Sequence, residues 1–430
     1  MARPSPVGRA YRRRVIDAEL DALLDGLPAL SLEGPKGVGK TSTALQRGGE
    51  IFQLDDPGMV EIIRAQPDRL TRGTPPIVID EWQRFPASWD VVRRAVDADH
   101  TPGRFILTGS ATPSRGPTHT GAGRIVPLRM RPQTLVERGI GTPTVSLAGL
   151  LEGARPALQG STPVSLSDYT EEIVAGGFPG MRFSPPRARR AALDGYLDLI
   201  IETDLPELGV EFRHPSTLRR WLRAYAAATA TTTSYDKIGV ASSGGEEAPP
   251  AKRTAIAYRE ALERIWILEA VPAWAPTSNH LRRLSGSPKH HLADPALAAR
   301  LVGLDESALL RGEGATSIPR DGTFLGSLFE SLATLSVRVF AQNAEARVSH
   351  CRTWGGDHEV DLIVSRGDQR FVAVEVKLAE AVTDGDVAHL RWLRERQGDD
   401  LLDCIVISTG REAYRRADGI GVVPLALLGP

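Results

Sequence analysis

Residues 29–47, ALSLEGPKGVGKTSTALQR, decide the fold of the first part of the chain. Their centre, GPKGVGKT at 34–41, matches the pattern GxxxxGK[ST] at every position, follows a short apolar run and precedes a helical stretch. Glycines let backbone N–H groups turn inward around phosphate oxygens, and the N-terminus of the next helix adds its positive dipole end. The combination predicts a nucleotide-phosphate site, with an ordinary glycine turn between strand and helix as the alternative.

The side chains of this loop predict how a nucleotide and Mg²⁺ would be held. Lys40 would reach the β- and γ-phosphates and serve catalysis there, and Thr41 would offer its hydroxyl to Mg²⁺. The predicted nucleotide-binding residues are nine consecutive ones: Gly34, Pro35, Lys36, Gly37, Val38, Gly39, Lys40, Thr41 and Ser42.

A second motif, PPIVIDE at 75–81, is an apolar strand that ends in two carboxylates. Asp80 would hold the Mg²⁺ shell, and Glu81 would orient or deprotonate the attacking water. Such an ending is common by itself, but beside a phosphate loop it predicts nucleotide hydrolysis. The next apolar run, FILTGS at 105–110, ends in hydroxyls that could sense the γ-phosphate or simply form a turn.

Three arginines, Arg124, Arg129 and Arg131, follow the Gly-, Pro- and Thr-rich segment 111–124. An arginine at this place could act on the nucleotide of a neighbouring subunit. Solvated surface arginines are the alternative, and the sequence does not choose among the three.

The order of apolar runs predicts the fold class. Between residues 29 and 130, five short runs (ALSLEG, IFQLDD, PIVIDEW, RFILTGS and RIVPLRM) alternate with helix-length segments, which favours a parallel α/β sheet. From about 165 to 310 the apolar spacing is mostly helical. The last hundred residues contain predicted helices at 324–340 and 386–397 and the runs HEVDLIVS, FVAVEVK and DCIVIST, which indicate a second α/β unit.

A second group of carboxylates lies in this last unit. Glu375 and Lys377, in FVAVEVK, would project from the same side of a strand, and Asp361 would lie beside them if its strand pairs through the turn SRGDQ. Glu330, on the preceding helix, could add a third oxygen ligand for Mg²⁺. The pattern D…(D/E)xK is that of metal-dependent nucleases, with Asp361, Glu375 and Lys377 as catalytic residues. A strand with a solvated polar face shows the same pattern.

The middle segment carries a local excess of positive charge. Residues 210–291 contain 12 basic and 7 acidic side chains, whereas residues 321–430 contain 12 basic and 17 acidic ones. The order of helices, a short strand VPAW and a basic hairpin tip predicts a winged helix-turn-helix. Residues 251–265 would be its recognition helix, with Lys252, Arg253 and Arg259 near nucleic-acid phosphates or base edges. A helical lid with solvated arginines is the alternative.

The composition excludes several classes of protein. The chain has 430 residues, 41% of them hydrophobic, with 52 basic and 53 acidic side chains, so disordered, collagen-like and coiled-coil proteins are excluded. Two cysteines, Cys351 and Cys404, could form one disulfide, but so few fit a reducing compartment better. We find no signal peptide and no run of 18 apolar residues, and therefore predict a cytoplasmic protein without a membrane partner.

Taken together, these motifs resemble those of bacterial and archaeal AAA+-like ATPases that pair a P-loop domain with a C-terminal uncharacterised domain of PD-(D/E)xK nuclease-like fold. The resemblance covers roughly residues 11 to 425. Two departures from the family pattern are Lys36-Gly37, where members often carry two basic residues, and the Ala/Thr-rich segment and linker at 229–251. The resemblance rests on eight segments, which occur in this order: GPKGVGKT, IVIDEWQ, FILTGSAT, YTEEIVAGGFPG, LRRLSGSPKHHLADPAL, FLGSLFESLA, EVDLIV and VAVEVK.

The resemblance implies three α/β or helical domains: an AAA+-like P-loop ATPase at 1–140, a helical, winged-helix-like domain at 141–320 and a nuclease-like domain of restriction-endonuclease type at 321–430. It implies ATP and Mg²⁺ as cofactors, and an ATPase that couples nucleotide state to binding or Mg²⁺-dependent cleavage of DNA or RNA. The alternative is an ATP-switched DNA- or protein-binding regulator whose nuclease-like domain is inactive. AAA+ relatives often assemble into rings, so the formation of a homo-oligomer stays open.

Overall fold

The computed structural model describes residues 11–111, 120–207, 215–244, 249–275, 286–312, 322–353 and 355–430. All five predicted apolar runs at the beginning of the chain form strands, namely β1 (Ala29–Glu33), β2 (Ile51–Gln53), β3 (Ile77–Asp80), β4 (Phe105–Gly109) and β5 (Val126–Arg129). They pair in parallel in the order β2-β3-β4-β1-β5. The predicted parallel α/β sheet is therefore confirmed.

Helices accompany this sheet, and its middle strands are buried on both faces because of them. The carboxyl ends of β1, β3 and β4 meet at one edge, where Gly34, Asp80 and Ser110 follow or end the strands. Ligands bind at this edge of open parallel sheets. The first helix is shorter than the predicted 12–27, and the helices are α1 (Ile16–Leu24), α2 (Lys40–Leu45), α3 (Pro57–Ala65), α4 (Ala87–Ala98) and α5 (Leu135–Arg138).

The middle of the chain is mainly helical, as its apolar spacing predicts. The two-residue strand β6 (Val145–Ser146) precedes it. A single π-helical turn, Ile200–Asp204, continues directly from one of its helices. The helices are α6 (Leu147–Leu151), α7 (Leu166–Ala175), α8 (Pro186–Leu199), α9 (Leu205–Glu207), α10 (Pro215–Ala227), α11 (Tyr235–Ser242), α12 (Lys252–Arg264), α13 (Pro295–Val302) and α14 (Glu306–Arg311).

The predicted winged helix stays a prediction in its details. Helix α12 occupies the predicted recognition segment 251–265 almost completely. The strand β7 (Ala273–Trp274), which would begin a wing, pairs instead in parallel with β8 (Arg347–Arg352). Isolated bridges join Val271 to Lys289 and Leu268 to Leu292, so residues 267–274 and 287–292 form two sides of a hairpin. Of the predicted basic stretch HLRRLSGSPKHH at 280–291, residues 280–285 lie outside the described residues.

The last part of the chain is a second α/β unit, as predicted. Its mixed sheet continues from β8 with β9 (Glu359–Ser365), β10 (Phe371–Lys377), β11 (Leu401–Ser408), β12 (Tyr414–Arg415) and β13 (Gly421–Pro424). The order is β12-β13-β11-β10-β9-β8-β7. Strands β9 and β10 form the predicted antiparallel hairpin, with Val374 opposite Leu362. Two helices pack with the sheet, α15 (Gly322–Asn343) and α16 (Ala388–Gln397).

Helix α15 is the central helix of this unit. Its stretch Phe324–Asn343 is the one helix within the described part of the chain that is long and apolar enough to cross a membrane, by length and composition only. In the folded protein 78% of that window is buried, which is also the usual situation of a core helix.

The end of the chain returns to residues near 145. Strand β14 (Leu428–Gly429) pairs in parallel with β6, and the hydroxyl of Ser146 donates to the carbonyl of Pro430 at 2.7 Å. A further bridge joins Ser161 to Glu412. Residues 145–161 are therefore hydrogen bonded to the last unit, while the predicted division at 140 and 320 stays a prediction.

The paired glycines at 176 and 177 join the middle of the chain to the first sheet. Gly177 donates its N–H to the Asp294 carboxylate at 2.7 Å and accepts the Gln133 N–H at 2.9 Å. A Cβ at Gly177 would lie 2.5 Å from the Gln133 carbonyl oxygen, so a larger side chain would force the two backbones apart. Asp294 also caps α13 through the Ala296 N–H.

Candidate functional site

The loop at 34–39 has the backbone that a phosphate cradle requires. Gly37 and Gly39 have φ of 78° and 103°, in the left-handed region that glycine adopts without strain. Gly34 lies against the backbone of Met130, because a Cβ there would come within 2.1 Å of the Met130 carbonyl oxygen. The loop ends at the N-terminus of α2, where Lys40 and Thr41 begin the helix.

The Lys40 ammonium points back into this loop. Its Nζ donates to the carbonyl oxygens of Gly34 and Pro35, both at 2.9 Å, and the side chain is almost completely buried. Burial lowers the pKa of Lys40 to about 8, while the nearby Glu81 carboxylate acts in the opposite direction. Backbone carbonyls thus hold the ammonium at the predicted phosphate site. Phosphate oxygens could replace these carbonyls as its hydrogen-bond acceptors.

Asp80 lies at the end of β3 within hydrogen-bonding distance of two hydroxyls. Thr41 donates to Asp80 Oδ1 at 2.7 Å, and Thr108, from the neighbouring strand β4, donates to the same oxygen. Burial raises the pKa of the Asp80 carboxyl, and both hydroxyls oppose this shift. The structure thus brings Thr41 and Asp80, the two predicted Mg²⁺ ligands, together.

Glu81 follows Asp80 in a left-handed conformation, with φ of 52°. This backbone turns its carboxylate toward β4, where Oε2 accepts hydrogen bonds from Ser110 at 3.0 Å and from Gln83. The Glu81 N–H also donates to the Thr108 hydroxyl at 3.3 Å. The two hydroxyls at the end of FILTGS, those of Thr108 and Ser110, therefore donate hydrogen bonds to Asp80 and Glu81. A movement of either carboxylate would change these hydrogen bonds.

A cavity opens beside the phosphate loop, between the first sheet and the middle helices. Lys36 forms an ion pair across it with Asp204, and the Tyr196 hydroxyl donates to the Lys36 carbonyl at 3.1 Å. The cavity has both polar and apolar walls, from Lys36, Gln83, Ser110, Tyr196, Asp204 and Ile267. Through Lys36 the cavity adjoins the predicted nucleotide-binding residues.

The C-terminal carboxylates also converge. The Val376 N–H donates to Asp361 Oδ2 at 2.9 Å, which places Asp361 of β9 beside Glu375 of β10. Lys377 donates to Glu375 Oε1 at 2.7 Å. Glu375 Oε2 is buried and has no hydrogen-bond partner among the described residues. Burial and the Asp361 charge raise the pKa of Glu375 well above its usual range.

A residue that the sequence analysis does not single out occupies the centre of this group. The ammonium of Lys289 lies 2.9 Å from Glu330 Oε1, 3.0 Å from Glu359 Oε1 and 2.9 Å from Asp361 Oδ1, and its side chain is 1% exposed. Burial would lower its pKa, but the Asp361, Glu330 and Glu359 carboxylates together raise it well above the usual range. In the resemblance, Lys289 appears only as part of the motif SPKHH.

The carboxylates as they stand do not form a ready metal centre. Across the part of the chain that the structure describes, no three His, Cys, Asp or Glu side chains are placed to hold a metal ion. Glu330 and Asp361, two predicted ligands, lie together as expected, but they surround an ammonium. The unpartnered Glu375 Oε2 and the oxygen-only donor set nonetheless fit a hard divalent cation.

Three family models match this chain. Residues 27–138 match an AAA domain, and this range contains the phosphate loop, Asp80 and Glu81. The other two models describe domains of unknown function, DUF8612 at residues 166–308 and DUF4143 at 325–428. The nuclease-like assignment of residues 321–430 therefore stays a prediction.

The chain is also similar to individual proteins. An uncharacterized protein of Mycobacterium tuberculosis and one of Mycobacterium bovis are each 28% identical over 333 residues, which is 75% of this chain and 66% of theirs. The aligned region thus spans just under two thirds of the length of these relatives. A solved Walker-type ATPase of Pyrococcus abyssi aligns with 70% of this chain and 98% of its own, at 17% identity and a TM-score of 0.39. That value is too low to establish a shared overall fold.

Within residues 27–138, the three predicted arginines have different surroundings. Arg124 lies at the surface and donates to Asp97 at 2.8 Å. Arg131 donates to Glu269 at 2.8 Å and to Gln342 at 2.7 Å. Both are therefore engaged in ion pairs or hydrogen bonds within the chain.

Arg129 differs, because both of its Nη atoms are buried without a hydrogen-bond partner among the described residues. Its guanidinium lies 3.9 Å from the centre of the Trp266 ring, and its Nε lies 3.6 Å from Glu269. Burial lowers its pKa to about 10. Arg129 ends β5, opposite Glu33, the last residue before the phosphate loop. Sequence analysis names Arg129 as a candidate but cannot find Trp266 or Glu269, which come from another part of the chain.

Of the predicted nucleic-acid-binding residues, Lys252 and Arg253 are exposed at the start of α12. Arg259 lies 5.0 Å from the centre of the Tyr235 ring and 3.6 Å from Glu263, so it is held within the helical unit. Contact with nucleic acid stays a prediction for this surface.

Proposed function

We propose that the AAA-type domain binds ATP and hydrolyses it with Mg²⁺. The observation that carries the proposal is the arrangement at the edge of the sheet, where Lys40, the Thr41–Asp80 pair and Glu81 lie around a glycine loop. These groups supply, in order, a phosphate-binding cation, oxygen ligands for a hard metal ion and a base for water.

In this proposal, the chain prepares each step with groups that are already in place. Lys40 exchanges its bonds to Gly34 and Pro35 for phosphate oxygens, at little cost in desolvation because it is already buried. Thr41 and Asp80 hold the Mg²⁺ ion, which when bound neutralises the charge of the β- and γ-phosphates. Glu81 leaves Ser110 and accepts a proton from the attacking water.

Arg129 completes the site from within the same chain. It ends β5 opposite Glu33, the last residue before the phosphate loop, so it lies on the strand next to that loop. The two unpartnered Nη atoms are donors suited to phosphate oxygens. We therefore assign to Arg129 a contact with the γ-phosphate in cis.

Substitution of Lys40 tests the ATPase proposal. Lys40→Ala removes the phosphate-binding cation, and we expect ATP turnover, measured as phosphate release, to fall at least about a hundredfold. The matched control is Lys237→Ala, which removes an exposed lysine on α11. Turnover retained in Lys40→Ala would show that hydrolysis takes place elsewhere or is not catalysed by this loop.

We further propose that ATP turnover serves an action on nucleic acid, and that the C-terminal unit cleaves phosphodiester bonds with Mg²⁺. Support comes from the convergence of Asp361, Glu375 and Lys377 on adjacent strands. Asp361→Asn and Glu375→Gln should each abolish cleavage of plasmid DNA or single-stranded RNA with Mg²⁺ or Mn²⁺ and ATP.

One observation favours a second candidate, an ATP-switched regulator that binds DNA or protein without cutting. Lys289 fills the position among the carboxylates where a metal ion would lie. If neither the unmodified protein nor the variant Lys289→Met cuts DNA or RNA with either metal ion, while both still hydrolyse ATP, this second candidate is supported and the cleavage proposal is rejected.

A further inference from the structure

The arrangement around Lys289 is that of a cation site. Three carboxylate oxygens, one from Glu330 on α15 and two from Glu359 and Asp361 on β9, lie 2.9 to 3.0 Å from a single nitrogen atom. Ca²⁺ takes such oxygens at about 2.3–2.6 Å and Mg²⁺ at about 2.0–2.1 Å. A contraction of less than about 1 Å around the same point would therefore suit a divalent ion.

A second observation is independent of these three oxygens. Glu375 is 3% exposed, and its Oε2 has no hydrogen-bond partner among the described residues. Glu375 directly precedes Val376, whose N–H donates to Asp361 Oδ2 at 2.9 Å, so this carboxyl belongs to the same group. Four carboxylates thus face three cationic groups, the ammonium groups of Lys289 and Lys377 and the guanidinium of Arg352, which lies 3.3 Å from Glu359. The formal negative charge of the group therefore exceeds its positive charge by one.

Lys289 reaches this place from another part of the chain. Its backbone exchanges hydrogen bonds with Val271, at 2.8 and 2.9 Å, in the hairpin 267–274/287–292. The carboxylates belong to α15, β9 and β10. The ammonium is therefore contributed by the hairpin and not by the elements that carry the carboxylates.

We infer that Glu330, Glu359, Asp361 and Glu375 form a divalent-cation site, and that Lys289 is an internal cation which the metal ion must displace. The inference rests on the proposed function of the C-terminal unit and adds its regulation. Lys289 keeps the carboxylates paired and the unit silent, and withdrawal of its ammonium opens the site to a metal ion.

An ammonium is a fitting occupant for this purpose. Lysine carries a compact charge on a flexible stem, so its head can withdraw without a change in the backbone. A buried ion pair contributes little to net stability, because the loss of hydration offsets most of the attraction. The observed arrangement is thus better suited to exchange of cations than to stabilisation of the fold.

Binding of Mn²⁺ to the nucleotide-free full chain tests the inference. Titration calorimetry, or the loss of the free-ion electron paramagnetic resonance signal, is compared for the unmodified protein, Lys289→Met and the matched control Lys237→Met. We expect Lys289→Met to bind Mn²⁺ at least about tenfold more tightly, and Lys237→Met to behave as the unmodified protein. Equal affinity in Lys289→Met and the unmodified protein, both folded by circular dichroism, would overturn the inference.

A second variant tests which residues bind the ion. Asp361→Asn added to Lys289→Met should remove the gained Mn²⁺ affinity, and a gain that persists would overturn the assignment of the ligands. If Lys289→Met does not fold without metal, we expect Mn²⁺ to restore its cooperative melting transition, because the ion replaces the missing charge. A variant that stays unfolded with Mn²⁺ would also overturn the inference.

The readout separates this inference from the proposed function. Lys289→Met that binds Mn²⁺ but cuts no nucleic acid would leave the cation site standing and reject the cleavage proposal. A variant with unchanged Mn²⁺ affinity, in a protein that does cut DNA, would reject the role of Lys289 and leave the cleavage proposal standing.

Discussion

At the scale of single residues, Arg129 and Glu269 link the first sheet to the middle of the chain. Arg129 is held between Trp266 and Glu269, and Trp266 itself has a left-handed φ of 65°. Non-glycine residues in this region are strained and are often found at functional sites. The helical unit thus fixes the orientation of a guanidinium beside the phosphate loop.

Arg129→Met should lower the kcat of ATP hydrolysis by at least about a hundredfold, since an arginine on the γ-phosphate stabilises charge that develops in the transition state. Binding of ADP, which lacks the γ-phosphate, should be nearly unchanged. Phosphate release measures kcat, and calorimetry measures the binding of ADP. The control is Arg124→Met at the surface, and an Arg129→Met protein with normal kcat would contradict the assigned contact.

Glu269 predicts a response to acid. Burial alone would raise the pKa of its carboxyl, but Arg131, Arg129 and Arg338 hold it far below its usual range. The unfolded carboxyl has a pKa of about 4.3, so the stabilisation is present above that pH and is lost as the pH falls toward the folded value. The free energy of unfolding should therefore fall more between about pH 5 and pH 3 in the unmodified protein than in Glu269→Gln.

Denaturant unfolding at a series of pH values measures this difference. At neutral pH, Glu269→Gln should itself be less stable by about 3 kcal/mol, because three guanidinium groups lose their counter-charge. An equal pH dependence in both proteins would show that Glu269 is not held in its ionised form by the arginines.

At the scale of elements, the hairpin 267–274/287–292 is the most informative. Its first side follows Trp266 and contains Glu269. Its second side contains Lys289, whose ammonium lies among the carboxylates. Its last residues, β7, extend the C-terminal sheet at β8. One short element thus contacts both candidate sites.

Val271→Pro should disrupt this hairpin. Proline removes the N–H that donates to the Lys289 carbonyl at 2.8 Å, and we expect a loss of about 3 kcal/mol in the free energy of unfolding. Val271→Ala is the matched control, since it shortens the same buried side chain but keeps the N–H. Thermal and denaturant unfolding compare the two, and equal stability would show that the Val271–Lys289 hydrogen bond is unimportant.

Much of this architecture is predictable from sequence, for local reasons. Apolar runs such as IVID and FVAVEVK have the length and composition of buried strands. The glycines of the phosphate loop predict its backbone conformation. Lys289 and Trp266 are not predictable in this way, because their partners lie far along the chain, in elements whose register the sequence does not reveal. The strand VPAW was expected to form part of a wing, but its last two residues join another sheet.

At the scale of the whole molecule, the charge distribution indicates which part of the chain would contact nucleic acid. The net charge of −1 combines an excess of five basic residues at 210–291 (12 against 7) with an excess of five acidic ones at 321–430 (17 against 12). Contact with DNA phosphates through the basic part releases bound counterions and is therefore weakened by salt.

We expect the affinity for duplex DNA to fall at least about tenfold between about 50 and 200 mM salt. Lys252→Gln combined with Arg253→Gln, at the exposed start of α12, should weaken binding and reduce this salt dependence. Fluorescence anisotropy measures both, with Arg124→Gln on the ATPase domain as the control. An affinity that stays flat over this range would argue against phosphate contacts.

The pairing of β6 with β14 has a consequence for how the chain folds. Val145 and Leu428 are partners although 283 positions separate them, so this contact has to close a very long loop. Contacts of such sequence separation form late and slow the folding of the parts that depend on them. During synthesis, residues 145–161 can therefore pair only after β14 has been made. We expect the middle and C-terminal units to acquire their final stability together at that stage, whereas the first sheet can form earlier.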